Sequence, residues 1–422
     1  MLPLNIVDPN NPSQLAYADT LRSWLVKIKD SGARGVMADF WWGVVEKAGP
    51  QQYNWTAYLQ LADMCVALGL KMNVVASFHK CGGNVGDDCN IPLPPWVLET
   101  TGVYYTDHNG AQTTEYISLG VDNQNLFRGR SPVTMYREYL LSFGQTFAKY
   151  LNDQVIEEIE VGVGPTGELR YPAYQLDKWA FPGIGAFQCY DKYMLAMLQQ
   201  AANNVSRPEW GLPPSNAGSY NSRPEDTAFF SNGQANNWDS DYGRFFLGWY
   251  SSVLIEHGTQ ILDESAKALA AYPVHFSIKV SGIHWLYNTD SHAAELTCGY
   301  YNTVNRDGYA DIAAFLPWHD ASFDFTCLEM KSSEQPSNAR SNPEALVSQT
   351  RKAAEVKGVR FRGENALQRY DRTAYSQIIA QSRYSTGEPV DGFTYLRLTS
   401  DLVNNDSYYN DFKWFVSQMA LI

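Results

Sequence analysis

Along the 422 residues, short and mostly apolar runs of strand length alternate with longer stretches whose apolar residues recur every three or four positions. The short runs are MLPL (1–4), GVMADFW (35–41), KMNVVASFH (71–79), IEEIEVGVG (156–164), HFSIKVSGIHW (275–285), SFDFTCLEM (322–330), GVRFRGENA (358–366) and GFTYLRL (392–398). Such runs suit strands covered on both faces of a parallel sheet. Between them Tyr58, Leu61, Ala62, Cys65 and Leu68 keep helical spacing as far as Gly69, a residue suited to end a helix. Tyr136, Leu140, Phe143, Phe147 and Leu151 repeat the pattern, and Asn342, Pro343 and Gly358 read as cap, first-turn and stop residues of another helix. Strand and helix alternating in this way predict right-handed parallel crossovers that close into a (β/α)8 TIM barrel, an α/β fold. The strand-to-helix loops after strands 3, 4 and 5 are expected to be long. A doubly wound open sheet is the rival, but no GxGxxG follows the first run.

Composition narrows the class. Hydrophobic residues make up 45% and charged residues 18%, which is a globular balance. Lys and Arg number 32 against 45 Asp and Glu, a net −13 that argues against nucleic acid or an anionic membrane as partner. The 12 Trp and 27 Tyr are many for this length, and aromatic faces stack on sugar rings, although any single one reads first as core. No run of 18 apolar residues exists, so no transmembrane helix is expected. The start, MLPLNIVDPNN, lacks a basic n-region and a long apolar stretch, so no signal peptide is read there. Six cysteines do not make a disulfide scaffold.

In a barrel, side chains at the C-terminal strand ends share one pocket. Those ends offer Asp39, His79, Glu168, Lys279 and His284, Thr326 with Glu329, Glu364 with Asn365, and Arg397, while the strand middles read as apolar. Each alone reads as an ordinary loop polar; the set together reads as an active site. No GxSxG elbow, HExxH zinc pattern or phosphate loop competes with the carboxylates. Glu168 in GPTGELRYP and Glu364 in RGENAL fall on the fourth and seventh strands, on opposite sides of the barrel. Two carboxyls across an aromatic-rich cleft suit glycosidic cleavage, one protonating the leaving oxygen and the other acting as base or nucleophile. The bland alternative for Glu168 is a loop glutamate paired with Arg170.

ADFWWGVVE, FHKCGGNVGDDCN, GPTGELRYPAY, IKVSGIHW, FTCLEM, RGENAL and FTYLRL, in this order over nearly the whole chain, resemble the motifs of the β-amylases. The resemblance implies a (β/α)8 barrel that removes β-maltose from the non-reducing ends of α-1,4-glucans with inversion. It implies Glu168 as general acid and Glu364 as general base. Asp39, His79 and Asp87 resemble residues that bind the terminal glucose. Lys279, His284, Thr326, Asn365, Ala366 and Arg397 resemble other sugar contacts, Leu367 an apolar wedge between glucose units, and Thr326 part of a mobile inner loop that holds Glu364 and the water. The expected partners are the glucan and maltose, with no nucleic acid and no membrane, and the chain is expected to be a monomer.

Some bacterial relatives hold calcium through acids near Glu46 and Glu138. Here Pro50 and Leu141 stand at two of the acidic positions, so we expect no metal and no permanent cofactor. We read residues 1–422 as one catalytic domain without a starch-binding domain. A retaining pair about 5 Å apart, or a glucan-binding homologue without activity, are the competing readings. The stretch FHKCGGNVGDDCN offers too few ligands for zinc and is too acidic for phosphate, so it reads as a glycine-hinged lid, 82–88, with Asp87 at its tip. Cys81 and Cys89 flank this loop, and both a disulfide and two free thiols remain open.

Overall fold

The computed structural model describes residues 1–383 and 387–422. Its strands are β1 (Gly35–Trp41), β2 (Lys71–Ser77), β3 (Tyr104–Thr106), β4 (Gln112–Ile117), β5 (Ile156–Val161), β6 (His275–Val280), β7 (Ser322–Phe325), β8 (Phe361–Glu364) and β9 (Gly392–Thr394). Seven of them form one sheet in the order β1-β2-β5-β6-β7-β8-β9, every neighbour parallel. The other two, β3 and β4, form an antiparallel hairpin within the connection from β2 to β5. Parallel neighbours need crossovers, and the helices between them supply these.

MLPL is not a strand. Pro3 has no N–H to give a ladder, so the segment pairs for only two residues. Leu2 N donates to Met37 O at 2.8 Å, while Leu398 N donates to Met1 O at 2.9 Å and the Met1 ammonium to Tyr395 O at 2.9 Å. These contacts link β1 to the segment after β9 and occupy the eighth position of the barrel.

The other seven runs are found, several in shortened form: β6, β7, β8 and β9 end where the expected strands still continue. Their remaining halves are irregular and carry the candidate residues. The expected helices form as Thr56–Leu68, with Gly69 at φ 65°, Pro132–Thr146 followed by Ala148–Asn152, and Pro343–Val356, whose cap Asn342 accepts from Ala345 N. The connections from β2 to β5, β5 to β6 and β6 to β7 are the longest between strands of the sheet, and they contain helices of their own.

Apolar strand middles are a reading the structure corrects. Glu158, Glu160, Ser277, Lys279 and Asp324 are buried within strands. They alternate with apolar neighbours because successive strand side chains face opposite ways: the inward face of this barrel is charged and the outward face is the apolar one. A cavity of about 820 Å³ lies at the N-terminal strand ends, lined by Gly35, Lys71, His275, Arg360 and Gly392 among others. It is at the opposite end from the candidate residues. No helix among the described residues is long and apolar enough to cross a membrane.

Candidate active site

Lys279 organises the site. Its main chain pairs with the segment after β5, Leu169 N donating to Lys279 O at 2.8 Å, and this fixes Glu168 beside the end of β6. Its ammonium lies 3.5 Å from Glu364 Oε2 and 3.2 Å from Glu160 Oε1. One residue therefore touches both catalytic candidates, the first through backbone and the second through charge. Burial alone would lower the pKa of this ammonium, but Glu160, Glu364 and Glu168 outweigh it and hold the group well above the ordinary lysine range.

Glu168 is held at one oxygen and open at the other. Its Oε2 accepts from Arg170 Nε at 2.6 Å and from Thr166 Oγ1 at 2.7 Å. The pairing with Arg170, foreseen only as the bland alternative, is thus present within the cleft itself. Glu364, at the end of β8, is 1% exposed, and neither of its carboxylate oxygens has a hydrogen-bond donor. Glu160 and Asp324 join it in a group whose carboxylates lie within 4.8 Å of one another. Burial pushes Glu160 up to about 8 and, with Glu364 and Glu160 nearby, raises Asp324 well above the carboxylate range. Among the described residues this is the group close enough to hold an ion, and the Lys279 ammonium already serves as its cation.

Near the ends of β1 and β2, Asp39 and His79 are both buried. Asp39 accepts from Ser77 Oγ at 2.9 Å while its second oxygen has no partner. Burial raises its carboxyl, against the pull of Arg397 and Lys279. His79 packs edge-on to Trp41, with ring centroids 5.0 Å apart, and its Nδ1 is unpartnered. Burial, helped by Lys279 and Arg170, lowers its pKa to about 3. Unpartnered polar atoms of this kind suit groups that receive a ligand's hydroxyls.

Other candidates stand with their polar atoms already engaged. Thr326 Oγ1 accepts from Gly282 N at 2.7 Å and is not bonded to Glu364. Asn365 spans from β8 to the segment after β9: its Oδ1 accepts from Leu396 N at 2.7 Å and its Nδ2 donates to Leu396 O and Leu367 O. Arg397 donates to Leu2 O at 3.0 Å. Ala366 and Leu367 are exposed, their N–H groups held by the two oxygens of Glu329 at 3.0 and 2.7 Å. His284 is buried, which lowers it to about 4, and it sits against Phe181 and Trp285.

The stretch 78–90 forms a pinned loop. Cys81 and Cys89 are disulfide-bonded, and Cys81 also pairs with Ile91. Gly82, Gly83 and Gly86 have φ of 117°, 102° and 85°, values that a side chain would strain. Asp87 is turned back on its own loop, accepting from Gly82 N at 2.9 Å and Asn84 N at 3.1 Å. At the two acids read as possible calcium ligands, Arg130 Nη1 lies 2.6 Å from Glu138 and 3.9 Å from Glu46.

Sequence reasoning missed Arg170 as part of the cleft, and it missed Asn84, Glu115, Glu160 and Asp324. For Glu160 the signal was available: Glu158 and Glu160 are two apart in a strand, hence on one face. Asn84 and Arg170 meet across 86 positions, and nothing local announces that contact.

A family model described as glycosyl hydrolase family 14 matches residues 1–421. The beta-amylase of Vigna unguiculata is 47% identical over 432 residues, covering 99% of this chain and 86% of that protein; the beta-amylase of Glycine max gives the same figures. The solved catalytic domain of beta-amylase from Paenibacillus polymyxa is 32% identical with a TM-score of 0.81, covering 99% of this chain and 97% of that one. The parallel sheet, a family match over residues 1–421 and these relatives converge on one statement: the chain belongs to glycosyl hydrolase family 14.

Proposed function

We propose that Glu168 is the general acid and Glu364 the general base of an inverting hydrolase with one catalytic domain. As a family 14 member similar to beta-amylases, it acts on starch-type α-1,4-glucans from the chain end and releases maltose. The observation that carries the assignment is the convergence of both glutamates on Lys279, one beside its main chain and one beside its ammonium.

Glu364 lies 3.5 Å from the Lys279 ammonium and carries unpartnered oxygens that a water can donate to. The water loses a proton to Glu364 and attacks the anomeric carbon from the face opposite the leaving sugar. Arg170 and Thr166 hold Glu168 Oε2, which leaves Oε1 to carry the donated proton. It passes to the glycosidic oxygen, and the product is the β-anomer. Asp39 and His79 receive hydroxyls of the terminal glucose, with Asp87 joining when it leaves its own loop. Lys279, His284, Thr326, Asn365, Ala366 and Arg397 line the remaining path, and Leu367 presents an apolar edge between sugar units.

The test is maltose release from soluble starch with the anomer followed by NMR. Glu168→Gln and Glu364→Gln should each lower kcat by at least about 10²-fold while maltose still binds, the loss expected for general acid–base groups. A variant retaining a tenth of the activity removes that residue from its role, and an initial α-anomer overturns the inverting mechanism.

A further inference from the structure

Thr166 lies just before the proposed acid, in the turn Pro165–Gly167 that follows β5. Its φ is 55° and its ψ 19°, a left-handed conformation in which a β-branched side chain is strained. Among the described residues no other β-branched side chain has a positive φ. In this conformation the hydroxyl lies between two acceptors, Pro165 O at 2.6 Å and Glu168 Oε2 at 2.7 Å. Pro165 O also accepts from the main-chain N–H of Glu168 at 2.9 Å, so the hydroxyl spans the backbone partner of the acid and its carboxyl. Arg170 Nη2 donates to the same Thr166 Oγ1 at 3.3 Å. A guanidinium only donates, so the single hydroxyl hydrogen must point to Pro165 O or to Glu168 Oε2.

We propose that Thr166 is a positioning residue for the general acid: its hydroxyl turns its hydrogen from Pro165 O to Glu168 Oε2 as the acid gives up its proton. This rests on the reading of Glu168 as the general acid. The acid enters the reaction with its proton on Oε1 and with Oε2 held by Arg170 Nε at 2.6 Å. The proton passes to the glycosidic oxygen, the bond from that oxygen to the anomeric carbon breaks, and its electron pair stays with the oxygen. Glu168 is left as a carboxylate, and part of the new negative charge gathers on Oε2. The hydroxyl answers by rotation about one bond, with no movement of the chain. Hydrogen bonds to an ionised acceptor are roughly twice as strong as neutral ones. A bond that strengthens only as the charge forms stabilises the transition state more than the bound substrate, which raises kcat and leaves KM nearly unchanged. Glycine would relax this turn but would carry no hydroxyl to it.

The experiment compares kcat and KM on two substrates, for the wild-type chain, Thr166→Val, Thr166→Ser and Thr166→Gly. One is a soluble maltodextrin, whose leaving sugar needs a proton; the other is α-maltosyl fluoride, whose fluoride leaves without one. Thr166→Val keeps the branched shape and loses the hydroxyl. Its kcat on maltodextrin should fall about 10- to 100-fold, the worth of one hydrogen bond to a charged group, with little change in KM. Its hydrolysis of the fluoride should fall far less, because no acid is needed there. Thr166→Ser restores a hydroxyl and should recover most of the maltodextrin activity. Thr166→Gly relieves the strain, so its thermal midpoint should equal or exceed that of the wild type while its maltodextrin kcat falls as in Thr166→Val. A merely structural role would move stability and activity together. An unchanged kcat in Thr166→Val, an equal loss on both substrates, or a Thr166→Ser as slow as Thr166→Val overturns the proposal. If Thr166→Val does not fold, Thr166→Gly is read by the same criteria. Glu168→Gln, run on both substrates, separates the failures. If it keeps maltodextrin hydrolysis, or loses both substrates alike, the assignment of the acid falls. If it loses only maltodextrin and Thr166→Val does not follow it, only the role of Thr166 falls.

Discussion

Lys279 shows how much one side chain settles in this barrel. Its ammonium faces Glu160 and Glu364 with side chains 8%, 0% and 1% exposed, and Asp324 completes the carboxylate group. Removing one partner of a buried ionic group leaves uncompensated charge and costs about 3–5 kcal/mol. Lys279→Met should therefore lower the unfolding free energy by about that amount and also abolish maltose release, because Glu364, proposed as the base, loses the ammonium 3.5 Å from it. Urea unfolding and the starch assay check the two effects separately. A variant with full stability would show that the carboxylates simply take up protons in place of the missing charge. At this scale the sequence was legible where the residue carries its own chemistry: Glu364, Glu168 and Asp39 stand at, just past or near strand ends, whereas Lys279 lies within β6. It was illegible where a contact joins distant positions, as between Asn84 and Arg170. A role such as that of Thr326 depends on which way a hydroxyl turns, and here it faces Gly282.

The elements repeat the lesson with a different cause. Of the three helical stretches read from the sequence, two form to within a residue or two because a cap or a glycine marks an end, as Asn342 and Gly69 do, whereas the one through Tyr136 starts at Pro132 and divides at Phe147. Strand lengths were overread because an apolar run continues past the last ladder bond into the cleft-forming segments. After β7 the chain enters Thr326 and Cys327, the latter at φ 65°, a left-handed turn that no apolar pattern predicts. The turn is possible because Gly282 faces it: a Cβ there would lie 2.6 Å from Cys327 Sγ and 2.9 Å from Thr326 Oγ1. Gly282→Ala must push this inner segment away or break the Gly282–Thr326 bond. We expect overpacking to cost about 1–3 kcal/mol and kcat to fall on the order of 10²-fold, the penalty of an ångström-scale misplacement near reacting groups. Steady-state kinetics check it, and unchanged kcat would place Thr326 outside the chemistry.

Across the whole molecule, the interior holds acids whose pKa burial raises, and this bears on how stability depends on pH. Glu46 and Glu329 are pushed up to about 7, chiefly by burial, while Asp39, Glu115 and Asp191 are raised in the same sense. An unfolded glutamate titrates near 4.3. Between roughly that pH and 7 the unfolded chain has released protons that the folded chain retains, so the folded state binds more protons and stability must fall as pH rises. Below that window other carboxylates act oppositely. Asp107, lowered by its hydrogen bonds and Lys178 although burial opposes this, and Glu157, lowered by Arg34 and Lys71 against the same opposition, contribute stability that is lost as pH drops through their folded values. The net charge of −13 adds self-repulsion on the alkaline side. The thermal midpoint should therefore peak near pH 5 and decline toward pH 8, and Glu329→Gln should flatten the decline without moving the peak. Calorimetry across pH 4–9 at constant ionic strength checks both. A midpoint that rises from pH 5 to 8 would mean that the buried acids ionise in the folded state, the carboxylates around Lys279 drawing on more compensation than the surrounding residues supply.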